Sequence, residues 1–327
     1  MNSNSKIFVA GHTGMVGSAF LRQLQARGQS NILIKTRQEL DLTNQAAVNA
    51  FFERENPEYV FVAAAKVGGI MANATYPADF IYQNLAIQTN IMHAAYLTGV
   101  KRLLFLGSVC IYPKHCPQPI KEDYLLTGPL EPTNAPYAIA KISGFTICEA
   151  YNRQYGTQFL CVMPTNLYGT GDNFDLETSH VLPALIRKFH ESKLQNTPVT
   201  LWGTGQALRE FLHVDDCANG SIFLMDLDPE RFQTLLDYSA GPLINLGSGE
   251  EISILSLAEM IRTIVGASGK ISWDTTKPDG TPKRKLDISR LQNLGWQPSI
   301  SLSEGIQQTY DWYLTHHQSA QLSQSRS

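Results

Sequence analysis

The chain lacks the features that mark several large protein classes. Its 26 lysines and arginines are outnumbered by 29 aspartates and glutamates, for a formal net charge of −3, whereas a nucleic-acid binder carries a strongly basic balance. Only local basic clusters facing phosphate groups are compatible with that total. No apolar run approaches the roughly 18 residues a membrane span needs. Met1 to Ser5 are polar and lead straight into a short apolar stretch, Ile7 to Gly11, so no secretory signal is expected ahead of it. Cys110, Cys116, Cys148, Cys161 and Cys217 form no Cys-x-x-Cys pair. An odd count without a signal reads as reduced thiols in the cytoplasm rather than a disulfide framework. None of the histidines has zinc-type spacing, and His316 and His317 are adjacent in a polar tail. No metal is expected.

What is present is a chain of 327 residues, 43% hydrophobic, long enough for one large domain or two closely joined ones. Its first half alternates strand-like and helix-like segments. Strands are expected at Ile7 to Ala10, Ile32 to Lys35, Tyr59 to Ala63, Leu103 to Leu106 and Phe159 to Met163. Helices are expected over Met15 to Arg27, Asn44 to Glu55, Phe80 to Leu97, and from Tyr137 to before Gly156. This spacing indicates βαβ units. The fold class is therefore α/β, a Rossmann-type doubly wound parallel sheet over residues 1–165. A smaller mixed α/β substrate-binding domain is expected over 166–315, with segments from about 205–250 as candidates for a return to the first domain. In that second part Tyr168 to Ser179 reads as a mobile loop over a site, His180 to Lys193 as a helix, and Thr200 to Trp202 and Ile244 to Leu246 as short strands. Lys277 to Lys285 is a basic loop, and 316–327 is expected to be a disordered tail.

The first strand is followed by GHTGMVG, which places Gly11, Gly14 and Gly17 at the opening of the first helix. A dinucleotide site needs glycine there so that the turn is tight, the backbone can approach a pyrophosphate, and the helix packs on the strand. The helix N-terminus then offers free N–H groups and a positive dipole end to the phosphates. The end of the second strand chooses the cofactor: an acid there binds a ribose 2′-OH, whereas a basic residue accommodates a 2′-phosphate. Lys35 and Arg37, with no acid before Glu39, favour NADP(H). The plainer reading of the same residues is a solvated strand end. Asp41 and Leu42 suit the adenine edge.

Tyr137-Ala-Ile-Ala-Lys141, with Ser108 upstream at the end of a strand, puts a phenol and an ammonium on one helical face. A lysine beside the phenol is expected to favour phenolate and lower the tyrosine pKa from its reference of ~10. The phenol would then protonate a carbonyl oxygen as hydride reaches the carbon, with the serine hydroxyl holding that oxygen. Alone, Tyr-x-x-x-Lys arises by chance in many helices; it gains weight from the glycine turn and Ser108.

With these residues in view the chain resembles the extended short-chain dehydrogenase/reductase family. Within it, the chain is similar to the branch that converts GDP-4-keto-6-deoxy-D-mannose to GDP-L-fucose. The similar stretches are AGHTGMVGSA (10–19), AAAKVGGI (63–70), TYPADFIYQN (75–84), FLGSVCIYPK (105–114), EPTNAPYAIAK (131–141), MPTNLYG (163–169), REFLHVDD (209–216) and KPDGTP (277–282). They run in order along nearly the whole chain. The resemblance implies epimerisation at C3 and C5 followed by hydride delivery to C4, with NADP(H) as cofactor and a homodimer paired through helices near 80–98 and 137–155. It assigns the base to Cys110 and the acid to His180. By residue type alone, a free cysteine is usually a small hydrophobe and an isolated histidine structural, though thiol and imidazole can serve as base and acid. The implied cofactor site comprises Gly11, Thr13, Gly14, Met15, Val16, Gly17, Lys35, Arg37, Asp41, Leu42, Leu106, Gly107, Lys141, Pro164, Asn166, Leu167 and His180. For the GDP part it points to Lys188, Trp202, Arg209 and Asp279, with Lys283 or Arg284 from the basic loop; cations suit a pyrophosphate.

Two departures stand out. Thr13 replaces a basic residue of close relatives, which leaves Lys35 and Arg37 to supply the NADP preference. Lys188 stands where an arginine could fork onto a phosphate. Competing readings are a nucleotide-sugar 4,6-dehydratase, a 4-epimerase or 4-reductase of the same fold, and a non-catalytic dinucleotide-binding regulator. A dehydratase would place carboxylates where this chain has Val109 and Cys110, and a silent regulator commonly loses the tyrosine or lysine.

Overall fold

The computed structural model describes residues 1–276 and 281–324. Strands Ile7–Ala10 (β1), Ile32–Leu33 (β2), Tyr59–Val62 (β3), Arg102–Leu106 (β4) and Phe159–Pro164 (β5) join the late strand Leu243–Leu246 in one sheet. All neighbours are parallel, in the order β2, β1, β3, β4, β5 and Leu243–Leu246. Strands such as RLLFL and FLCVMP are buried along their whole length, as a parallel sheet covered on both faces requires. From β1 the chain steps outward to β2 and then back past β1 to β3, which opens a crevice at the strands' carboxyl ends.

The helices up to residue 226 are Met15–Ala26 (α1), Gln45–Glu55 (α2), Ile70–Thr75 (α3), Pro77–Leu97 (α4), Ala135–Tyr155 (α5), Val181–Gln195 (α6) and Val214–Asp226 (α7). The Asn44 side chain caps α2 by accepting from the Ala47 N–H, and Pro77 opens α4, where its missing N–H costs nothing. One face of the sheet packs Phe8, Val60 and Phe105 against α2, α4 and α5, around Phe52, Met92 and Phe145. The other packs Val9, Phe61 and Leu104 against α1 and α7, around Phe20, Leu24 and Ile222. A third cluster, with Leu185, Phe189, Ile261 and Ile306, forms the core of the C-terminal part.

Three expectations are corrected. The strand at Ile244 to Leu246, expected in the second part but inside the 205–250 segments that are candidates for a return, joins the large sheet: Leu243–Leu246 is wholly buried and pairs with β5 at its edge. The second strand stops at Leu33, so Lys35 and Arg37 lie in the turn beyond it. The C-terminal helix runs Leu302–Gln324 over most of the tail read as disordered, and Trp312 and His316 stack on it with centroids 4.2 Å apart. Residues 325–327 lie outside the described ones. Helix α3, between the third strand and α4, was not anticipated.

Candidate active site

A cleft of about 600 Å³ opens at the carboxyl ends of β1, β3, β4 and β5. Its walls contain Gly11, Thr13, Gly14, Met15, Val16 and Gly17 from the first turn, and Lys35, Arg37, Asp41 and Leu42 from beyond β2. Leu106, Gly107, Ser108 and Cys110 enter after β4, Tyr137 and Lys141 from α5, Pro164, Asn166 and Leu167 after β5, and His180 from the start of α6. The sequence did not flag Ala63 to Val67, Gln83 and Ile87, which also line it. For Ala63 to Ala65 the signal was the run of small residues after β3, whereas Gln83 and Ile87 come from α4.

The first turn is built for a close approach. Gly11 has φ +87°, and a Cβ on it would stand 2.6 Å from the Ala64 nitrogen. A Cβ on Gly17 would stand 2.0 Å from the Gly11 carbonyl oxygen. Gly14 is the N-cap of α1 and places no side chain over the helix end, so the first-turn N–H groups face the cleft. Open amides at a helix N-terminus, flanked by Lys35 and Arg37, fit the phosphates of a dinucleotide.

Ser108 follows β4 by two residues and caps the single turn Val109–Ile111, its Oγ accepting from the Cys110 N–H at 3.4 Å. Its hydroxyl also faces the Tyr137 phenol closely enough to favour phenolate. Tyr137 does not behave as the sequence suggested. Burial, joined by the nearby Cys110, pushes its phenol above the usual tyrosine range, and Ser108 only partly opposes this. Lys141 cannot reverse the shift because its Nζ donates to the Leu106 carbonyl at 2.7 Å and lies 5.9 Å from the Tyr137 ring centroid. Burial brings Lys141 itself down to about 8. His180 is the N-cap of α6 and opens onto the cleft; the surrounding protein pushes its imidazole below the usual value.

The segment before His180, read as a mobile loop, is tied down at several points. The Gly69 N–H donates to the Thr178 carbonyl at 3.1 Å. Asp175 Oδ1 accepts from the Glu177 and Thr178 N–H groups and from the Thr178 hydroxyl. Phe174 is buried against Tyr313, 4.7 Å between centroids.

The described residues assigned to GDP lie outside the walls of that cleft, in two groups. Lys188 on α6 donates to the Thr200 carbonyl at 3.4 Å, with its Nζ 5.9 Å from the Trp202 ring centroid. Trp202 is 65% exposed, so it is a surface platform and not a core residue. Arg209 sits on the strand Leu208–Arg209, which pairs in parallel with Lys283–Arg284. Lys283 pairs with Glu251 at 2.8 Å, and Arg284 donates to the Val109 carbonyl at 3.4 Å, linking the basic strand to the Cys110 turn. Asp279 lies outside the described residues. Sequence reasoning missed Glu210, which is fully buried and accepts from the Gly249 and Leu286 N–H groups at 2.7 and 2.8 Å. Its own carbonyl accepts from Asn166 Nδ2 at 2.9 Å. Glu210 thus ties the basic strands to the cleft wall through contacts distant in sequence.

Residues 7–234 match the NAD dependent epimerase/dehydratase family. The chain is 57% identical over 314 residues to GDP-L-fucose synthase 1 of Arabidopsis thaliana, covering 96% of this chain and 94% of that one. It is 53% identical over 317 residues to GDP-L-fucose synthase of Escherichia coli (strain K12), covering 95% and 97%. Among solved structures, the GDP-mannoheptose C4 reductase MlghC from Campylobacter jejuni, with NADP bound, superposes with a TM-score of 0.88. That protein is 44% identical to this chain, with 96% and 99% of the two chains covered.

Proposed function

The chain belongs to the NAD dependent epimerase/dehydratase family, and on that premise we propose a two-stage, NADPH-dependent conversion of GDP-4-keto-6-deoxy-D-mannose to GDP-L-fucose. The observation that carries this reading is one cleft lined by both a Ser108–Tyr137–Lys141 group and the additional pair Cys110 and His180. The curated relatives over 50% identical across nearly the full length support the same substrate. No helix among the described residues is long and apolar enough to cross a membrane.

In the first stage the 4-keto group acidifies the C3 and C5 protons. Cys110 takes a proton as thiolate and His180 returns one on the opposite face of the ring. In the second stage Ser108 holds the C4 oxygen and Tyr137 protonates it. When bound, NADPH supplies hydride to C4. A phenol with a raised pKa stays protonated at neutral pH, so the acid is loaded before the carbonyl arrives. The Lys141 ammonium, fixed by the Leu106 carbonyl, then steadies the phenolate left behind. The glycine turn and α1 would hold the pyrophosphate, Lys35 and Arg37 the 2′-phosphate, and Asp41 and Leu42 the adenine edge. The Lys188–Trp202 pair and the Arg209, Lys283 and Arg284 strands would hold the GDP.

Pairing into a homodimer through α4 and α5 is supported by an apolar groove on the outer side of α5, lined by Leu126, Leu130, Ile139, Ile142 and Ile147. Cytoplasmic residence is supported by five unpaired thiols. The test is incubation of purified protein with NADPH and GDP-4-keto-6-deoxy-D-mannose, with ring stereochemistry read by NMR. GDP-L-fucose is expected, and a product with retained C3 and C5 would reduce the reading to a plain 4-reductase.

A further inference from the structure

We propose that Glu39 sets the cofactor selectivity of this chain, withholding Lys35 from a 2′-phosphate and so narrowing the preference for NADP(H) over NAD(H). The inference rests on the cofactor reading above and deepens it.

Beyond Leu33 the chain turns through Lys35, Thr36, Arg37, Gln38 and Glu39. One carboxylate oxygen of Glu39, Oε2, accepts from the Thr36 N–H and the Thr36 hydroxyl, both at 2.8 Å. The Glu39 N–H returns a bond to the Thr36 hydroxyl at 3.4 Å, completing a reciprocal Thr-x-x-Glu cap. The other oxygen, Oε1, lies 3.5 Å from Lys35 Nζ. The Thr36 bonds, helped by Lys35, hold the Glu39 carboxyl below the usual range, so it is charged at any working pH. On the same turn Asp41 accepts from the Thr43 N–H at 3.0 Å and feels the charge of Arg37.

Of the two cations that would receive a 2′-phosphate, Lys35 is thus paired with a carboxylate, and Arg37 lies near enough to Asp41 to feel its charge. Thr13, across the cleft, adds no charge. A phosphate dianion entering here must draw Lys35 from Glu39 and settle beside two acids, whereas a ribose hydroxyl meets neither cost. Both Lys35 and Glu39 are partly exposed, at 35% and 52% of their side-chain area, so solvent screening keeps the effect to a few-fold.

Glu39→Gln separates charge from scaffold. The amide oxygen can still accept from Thr36, which preserves the cap, while the competing charge is lost. Kd values for NADP⁺ and NAD⁺, measured by calorimetry on the unaltered and substituted proteins at low and high salt, test the inference. The expected result is a Kd for NADP⁺ about two- to fivefold lower in Glu39→Gln at low salt. The gain should fade at high salt, and NAD⁺ binding should be unchanged. In steady state the KM for NADPH should fall at constant kcat. An NADP⁺ Kd that stays level or rises, with or without a change for NAD⁺, overturns the inference. An unaltered protein that binds NAD⁺ and not NADP⁺ would instead overturn the cofactor reading beneath it.

Discussion

Lys141 directs its ammonium at the carbonyl of Leu106, 2.7 Å away, and not at the phenol of Tyr137 one helical turn before it. The carbonyl belongs to the last residue of β4, two positions before Ser108, so the lysine fastens α5 to the strand that delivers the serine. The cation still lies within 5.9 Å of the tyrosine ring, close enough to favour phenolate once the proton has left. On the proposed reading, catalysis would proceed from a loaded acid, with the lysine acting on the charge that develops.

Tyr137→Phe removes the acid without disturbing the glycine turn. Ketone reduction should fall by at least about 100-fold, while calorimetry should give an unaltered Kd for NADPH. Near-normal turnover would mean that another group protonates C4.

The pH dependence should follow Lys141. Burial lowers its pKa to about 8, so the ammonium is present below that value and lost above it. Single-turnover NADPH oxidation should therefore decline above about pH 8, approaching tenfold per pH unit. In Lys141→Met the slow residual rate should lose this limb. A limb that survives the substitution would assign the titration to another group.

Cys110→Ala should suppress exchange of solvent deuterium into C3 and C5 by at least about 100-fold, with NADPH binding intact. His180→Asn should leave exchange running and slow inversion. Identical losses in both variants would deny the two residues separate roles.

Gly17→Ala tests the first turn. The added Cβ would meet the Gly11 carbonyl oxygen at 2.0 Å, a backbone contact that no rotamer change relieves. A stability loss of about 3 kcal/mol is expected in urea unfolding, together with weakened NADPH binding. Wild-type behaviour in both would show that the turn relaxes easily.

Much of this was legible in the sequence because the determinants are local. The glycine spacing, the Tyr-x-x-x-Lys step and Ser108 each sit on one element, and the periodicity of the first half fixes which strand ends meet. The misreadings came from relationships that cross the chain. Leu243–Leu246 looks like any short apolar strand until it is paired with β5. The fully buried Glu210 is an ordinary acid in sequence, and its partners Gly249 and Leu286 come from separate later segments. The phenol of Tyr137 was misjudged because side-chain spacing says which groups share a face, whereas burial and the Leu106 carbonyl decide where the lysine points its charge.

The most direct test of two chemistries in one cleft is the reaction run in D₂O with NADPH and GDP-4-keto-6-deoxy-D-mannose, followed by proton NMR of the product. The expected result is GDP-L-fucose carrying deuterium at C3 and C5, with one NADPH oxidised per sugar. A reduced sugar with protium and unchanged configuration at both carbons would contradict the account, leaving Cys110 and His180 as bystanders beside a 4-reductase.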